Sequence, residues 1–284
     1  MEPFFKMKIG QGDEFDITDK IPGLTYLGVD DASSSPQFTN NYQDSSGKDG
    51  SYFVSQTFAK RTFSERFLLS FIDWEDYQLA KHEIYKLFGR RELIRVRTDI
   101  NDAKVYFGYV DPFDIAPTES GSSFANFSIP FELPNPYRYS LYRSDSPYTF
   151  KQAGWQYGMN LPDNAENVGY HFTTNTFKVY NASDIRVDPY FQNHDLKIII
   201  KFTGDSLQIH NKTTDTSWKY NESSDGSHTI IWDGQKLTTY LDGDQVNGKT
   251  DFGYLSLDPE WNDIECTGAN SVDITFSFPF IYLI

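Results

Sequence analysis

Only one stretch of this 284-residue chain, residues 73–88, repeats its apolar residues at the spacing of an α-helix. Trp74, Tyr77, Ala80, Ile84, Leu87 and Phe88 fall on one face, and Glu75, Gln78, Lys81, His82 and Lys86 on the other. Asp73 offers a side-chain oxygen to the free N–H groups of the first turn, and Glu75 and Asp76 suit the positive end of the helix dipole. Gly89 is placed to stop the helix in the left-handed conformation. Strand patterns lie on both sides, at 65–72, 93–98 and 104–110, the last two joined by an Asp-rich turn at Asp99, Asn101 and Asp102. A lone helix among strands must lay its apolar stripe on a sheet, so the expected fold is mainly β.

Ahead of the helix, Phe4, Phe5, Met7 and Ile9 predict a first short strand, and residues 52–58 another. Between them, residues 33–50 hold almost no aliphatic side chain and end in Gly47-Lys48-Asp49-Gly50, a turn signal. A loop or arm of that length calls for a reason, such as packing on a partner. After the helix, Phe127, Ile129 and Phe131 alternate with polar residues, and Pro130 among them suggests an edge strand or a bulge. The run Leu133-Pro134-Asn135-Pro136-Tyr137 breaks the pattern, which puts a domain boundary near Ser140. The expected domains are 1–140, with the helix at 73–88, and 141–284. In the second, short strands alternate with turns in the manner of a β-sandwich: 177–181, 197–202, 206–210, 218–220, 228–232 and 237–240. Val272, Ile274, Phe276, Phe278, Phe280 and Tyr282 form the strongest period-two signal, a final strand with one apolar face.

Composition narrows the function. Lys+Arg 25 against Asp+Glu 40 gives a net charge of −15, which argues against a surface built to neutralise phosphates or anionic lipid. It leaves room for an acidic surface past which DNA slides. The single cysteine, Cys266, rules out an intrachain disulfide framework and a Cys-based zinc site. With no apolar leader and no run of 18 apolar residues, the expectation is a protein made in the cytoplasm that does not engage a membrane.

Phosphate loops, dinucleotide fingerprints and nucleophile elbows are absent, so no catalytic or cofactor-binding residue is assigned and no cofactor is expected. The five histidines, His82, His171, His194, His210 and His228, are scattered singly, which suits surface or satisfied side chains. Asp242-Gly243-Asp244 with Asn247-Gly248 resembles a calcium loop, but Val246 stands where the third ligand belongs, so a solvated turn and no metal site is the expectation. Trp155, Trp218, Trp232 and Trp261 suit core packing, with a sugar-stacking platform as the alternative. That alternative would make the second half a carbohydrate-binding module contacting a cell wall. Arg90, Arg91, Arg95 and Arg97 form the one basic cluster, and alternation puts Arg95 and Arg97 on one strand face. A solvated face and a charged subunit seam are both open readings of it.

The order of these features resembles the distal tail protein family of long-tailed siphophages. The resemblance is carried by Phe58-Ala59-Lys60-Arg61-Thr62-Phe63, Phe67-Leu68-Leu69, Asp76-Tyr77, Glu83-Ile84-Tyr85-Lys86-Leu87-Phe88 and Ile94-Arg95-Val96. Gly47-Lys48-Asp49-Gly50 stands where the family often has a Pro-Gly-Arg-Asp-Gly-like turn; Lys48 replaces the arginine and the proline is missing. In the second half, residues 175–181, Val187-Asp188-Pro189, residues 207–214 and Thr267-Gly268-Ala269-Asn270 look like the family's galectin-like domain, although Ala182-Ser183 replaces its usual glycine. The resemblance implies a non-enzymatic virion protein of the tail tip. An N-terminal β-sandwich with one helix and a projecting arm would form a homo-hexameric ring, and a galectin-like sandwich would follow it. The ring would join the tail tube protein to the hub or fibre protein, dock receptor-binding proteins in some members, and pass the tape measure and then DNA through its lumen. Lys48, Asp49, Arg90, Arg91, Arg95 and Arg97 are the ring-interface candidates.

Overall fold

The computed structural model describes residues 3–30, 36–146, 155, 158–162 and 168–283. The chain forms two compact units, residues 1–138 with 283–284, and residues 139–282. Both are mainly β, as the alternating sequence requires.

In unit 1, the strands are β1 Phe5–Ile9, β2 Phe15–Asp16, β3 Leu24–Asp30, β4 Phe38–Asp44, β5 Ser51–Phe58, β6 Arg61–Ser70, β7 Ile94–Thr98, β8 Lys104–Val110 and β9 Phe124–Leu133. Seven of them hydrogen-bond in the order β2-β1-β7-β8-β9-β6-β3. Strand β8 turns the corner of this surface: its residues 106–108 pair with β7, and Tyr109 and Val110 with β9. Strict alternation on β6 and β9 sends Phe63, Phe67 and Leu69 inward opposite Phe131, Phe127 and Ala125. Phe5 packs among Tyr26, Phe67 and Phe131, with ring centroids 5.2–5.9 Å apart.

Pro130 lies in β9 just where β8 has ended, so β6 pairs with it on one side and the other side is locally an edge. Its carbonyl accepts from Asp111 N at 2.9 Å, just past the end of β8. In a strand the nitrogen and carbonyl of one residue point the same way, so the missing N–H falls where the neighbour has already ended, and no ladder bond is lost.

The one long helix, α1, spans Trp74–Phe88. Asp73 caps it by accepting from Asp76 N at 2.8 Å, and Asp76 reaches back to Ile72 N at 3.0 Å. Tyr77, Ile84 and Phe88 are buried, but Trp74 is not: it lies on Tyr77 and stays 59% exposed. Periodicity places Trp74 on the apolar face but does not show how much of it is covered. Gly89 does not take the left-handed conformation; its φ is −71°. Glycine is needed there for room, since a Cβ would lie 2.6 Å from the Tyr85 carbonyl that its own N–H bonds.

In unit 2, the elements are β10 Arg138–Arg143, β11 His171–Phe172, β12 Thr176–Asn181, α2 Pro189–Gln192, β13 Lys197–Asn211, β14 Thr216–Tyr220, β15 Ser224–Asp225, β16 Ile230–Asp233, β17 Thr238–Leu241, β18 Asp244–Gln245, β19 Glu260–Ser277 and β20 Pro279–Tyr282. The two long strands, β13 and β19, form its spine and change partners along their length. The first part of β13 pairs with β16 and the last with β14, while β19 pairs first with β12 and then with β11. The switch falls at register shifts around Gly204. The stretches 197–202 and 206–210, expected as two strands, are therefore one bulged strand. The expected final strand is longer and broken: β19 begins at Glu260, and Pro279 starts a separate β20 that pairs with β10. Trp218, Trp232, Phe202 and Phe276 fill the core.

Candidate assembly interface

Strands β4 and β5 form a sheet of their own, an arm of two strands paired with nothing else. Residues 33–50, expected as a loop, are thus largely a strand and its turn; 31–35 lie outside the described residues. One face of the arm is a ladder of cross-strand pairs. Phe38 meets Phe58 at 5.0 Å, Gln56 donates to Asn40 at 2.9 Å, Tyr42 meets Phe53 at 5.9 Å, and Ser51 donates to Asp44 at 2.6 Å. At its base Phe58 stands edge-on to Tyr137, and Ala59 N bonds Gln37 O. Beyond that base Tyr42, Tyr52, Phe53 and Val54 are all more than half exposed. A lone two-stranded hairpin is marginal in water, so a row of aromatic rings along one is unaccounted for by the folding of this chain alone.

At the arm's tip Gly47 and Gly50 take positive φ, and Lys48 donates to Tyr52 Oη at 2.7 Å while lying over its ring. Asp49 is exposed in the same turn. Arg90 and Arg91 are exposed after α1. Arg95 and Arg97 do share one face of β7, and both are half-buried on Glu14, at 2.5 and 3.0 Å, with Arg97 also held by Asp102. Burial alone would push the Glu14 carboxyl up, but hydrogen bonding to Arg97 and the charges of Arg97, Arg95 and Lys6 hold it below the usual carboxylate range. The structure thus gathers the candidates into two places: the arm tip, and one face of β7 with the segment leading to it.

One buried charge escaped the sequence reading. The carboxylate of Glu65, on β6, accepts from Tyr26 Oη of β3 and Tyr106 Oη of β8, both at 2.6 Å. Burial pushes it above the usual range despite those two donors and the positive charge of Arg138. Nearby, Phe63 lies between the guanidinium groups of Arg61 and Arg138, each 4.6 Å from its ring centre. The cluster joins three strands, and Glu65, Tyr26 and Tyr106 are all buried, so it reads as a fastening inside the core.

Of the tryptophans in unit 2, Trp155, Trp218 and Trp232 are buried and Trp261 packs on Tyr180. The structure does not bring them together as a platform. Asp242 lies at the turn between β17 and β18, accepting from Thr229 N at 2.9 Å and bonding the His228 ring. Among the described residues no three His, Cys, Asp or Glu side chains are arranged to hold a metal ion, and no helix is long and apolar enough to cross a membrane.

Residues 11–133 match the model of the phage tail protein RIFT-related domain. The sequence matches no curated protein. In structure the chain is similar to the Dit protein of phage SPP1, described as a paradigm of the hub adsorption apparatus of phages infecting Gram-positive bacteria. The TM-score is 0.67 at 13% identity, over 97% of this chain and 99% of that one. Chains of the phage p2 baseplate in its activated conformation, with strontium or with calcium, align at TM-scores of 0.45 and 0.44 and identities of 11% and 12%. They cover 98% and 99% of this chain and 98% of theirs, a likeness too distant to argue from. Residues 11–133 thus match a phage tail protein RIFT-related domain, and the chain as a whole shares its fold with the SPP1 Dit protein.

Proposed function

We propose that the chain is a structural adaptor of the phage tail tip, in which six copies close into a ring joining the tail tube above to a hub or fibre protein below. The arm carries this reading. It is a hairpin of more than half-exposed aromatic side chains anchored only at its base, and a neighbouring copy would bury those rings. A head-to-tail contact of that kind repeats from copy to copy and ends in a ring when the rotation closes. The phage tail domain at 11–133 supports the setting, and the tail proteins similar in fold support a structural rather than enzymatic part. Receptor-binding proteins would attach at the periphery, and the lumen would pass the tape measure and DNA. The net charge of −15 suits a conduit to which DNA does not adhere.

Negative-stain images of the purified full chain across a concentration series test the proposal. Six-fold rings are the expected result. Particles that stay single at every concentration, alone and with the tube and hub proteins of the same phage, would overturn it.

A further inference from the structure

The two ends of α1 carry surfaces of opposite character. At its N-terminal end Ile72 is 90% exposed and Trp74 59%, while Phe124, which lies opposite Ser70 on the adjoining strand, is half exposed. Asp73, Glu75 and Asp76 neighbour them in sequence and Glu119 lies in the segment before Phe124, and the nearest base along the helix, Lys81, is turned onto Tyr77 and the Ile115 carbonyl. At the C-terminal end a groove of about 230 Å³ has an apolar floor of Phe15, Ile21 and Leu87. Lys20, Lys86 and Arg90 line its rim, with Glu83 the one acid, paired to Lys86. The helix dipole accounts for acids at one end and bases at the other. It does not account for a fully presented isoleucine beside an exposed indole, nor for an apolar-floored groove at the opposite end.

We propose that these are the two halves of one contact between copies. Ile72 and Trp74 of one chain, within their acidic rim, seat in the Phe15, Ile21 and Leu87 groove of the next, against Lys20, Lys86 and Arg90. A 15-residue helix is about 22 Å long, so one chain cannot seat its own Ile72 in its own groove, and the opposite charges of the two surfaces point to a second copy as the occupant. The charges match across the contact and repel when like ends meet, which makes the contact head-to-tail. This inference rests on the ring proposed above and names a second pair of surfaces, besides the arm, that would close it.

The test uses the full chain with Gln78→Cys in one preparation and Asp19→Cys in another, positions beside the two surfaces rather than in them. Both positions are exposed, and the native Cys266 is buried, so wild type sets the background. The two preparations are mixed and treated with a short bis-maleimide. A several-fold excess of linked pair in the mixture over either variant alone, falling in high salt, is the expected result. No excess would overturn the pairing. Six-fold rings in images of the unmodified protein without this link would overturn the pairing and leave the ring. The link without rings would support the contact and refute six-fold closure.

Discussion

Strands β4 and β5 form an antiparallel pair, and so do β13 and β19, yet they stand at opposite limits. The long pair buries Ile198, Ile200, Ile209, Ile264 and Phe276 against Trp218 and Trp232. The arm buries none of its residues, although it carries Phe38, Tyr42, Tyr52 and Phe53. Backbone pairing is alike in both, so pairing is not what holds a strand in place. The β13 and β19 pair has its large side chains enclosed within unit 2, although Phe191 and Phe252 elsewhere in that unit are exposed. The arm presents its large side chains to water, and the chain spends ordered backbone on it without burial to offset the entropy. The contrast separates side chains that make the fold from side chains that make an assembly.

The sharpest division expected from this contrast is at Phe276. Replacing it with alanine removes a fully buried ring from β19 and should cost about 3–5 kcal/mol, read by denaturant unfolding of the full chain. A much smaller loss would mean that unit 2 is loosely packed and the comparison is drawn in the wrong place.

Next in size is the Glu65 fastening. Glu65→Ala leaves two buried tyrosine hydroxyls without their acceptor and should cost about 2–4 kcal/mol. Its pH dependence has a definite sign. The folded carboxyl titrates above its unfolded value, so its contribution is full below the ordinary carboxylate range and is lost as pH rises through the folded value. Wild type measured against Glu65→Gln should therefore lose ground as pH rises above about 4.3, the ordinary glutamate value. A gap that widens with pH would refute the raised carboxyl.

The Glu14 cluster should behave in the opposite way. Its carboxyl is held low, so its contribution is present above the unfolded value and fades as pH falls through the folded one. Glu14→Gln should cost about 1–2 kcal/mol at pH 7 and progressively less in acid. A loss independent of pH would point to packing rather than charge. Smallest of all should be Phe53→Ser in the arm, within about 0.5 kcal/mol of wild type for the unassembled chain, because an exposed ring has little to lose on its own. Its effect belongs in the oligomer distribution. A large destabilisation of the unassembled chain would erase the distinction between arm and core.

What could be read beforehand follows the same division. The helix, its Asp73 cap and the alternating strands β6, β9 and β19 were legible because burial on one face writes a period into the residues. The arm was half legible. Its polar composition and the turn at Gly47 to Gly50 announced an exposed excursion, but β4 carries no buried face, so Phe38, Asn40 and Tyr42 gave an alternation that favours no side. Exposure of Trp74 depends on what the rest of the fold brings against it, and the Glu65 contacts join residues 39 and 41 positions apart, so neither leaves a local mark. Arg95 and Arg97 were placed on one face from alternation, yet their common acid, Glu14, lies 81 and 83 positions earlier.

The central claim, that the arm exists for assembly and not for folding, is tested most directly by removing it. Phe38 and Phe58 face each other across the base of the hairpin, so residues 39–57 can be replaced by a short Gly-Ser linker without displacing either end. Light scattering after size exclusion would then compare this chain with wild type, each chain of wild type contributing 32.8 kDa. The account predicts wild type at six chains and the armless protein as a folded single chain with an unchanged melting temperature. Equal masses for the two, or an armless chain that no longer folds, would contradict it.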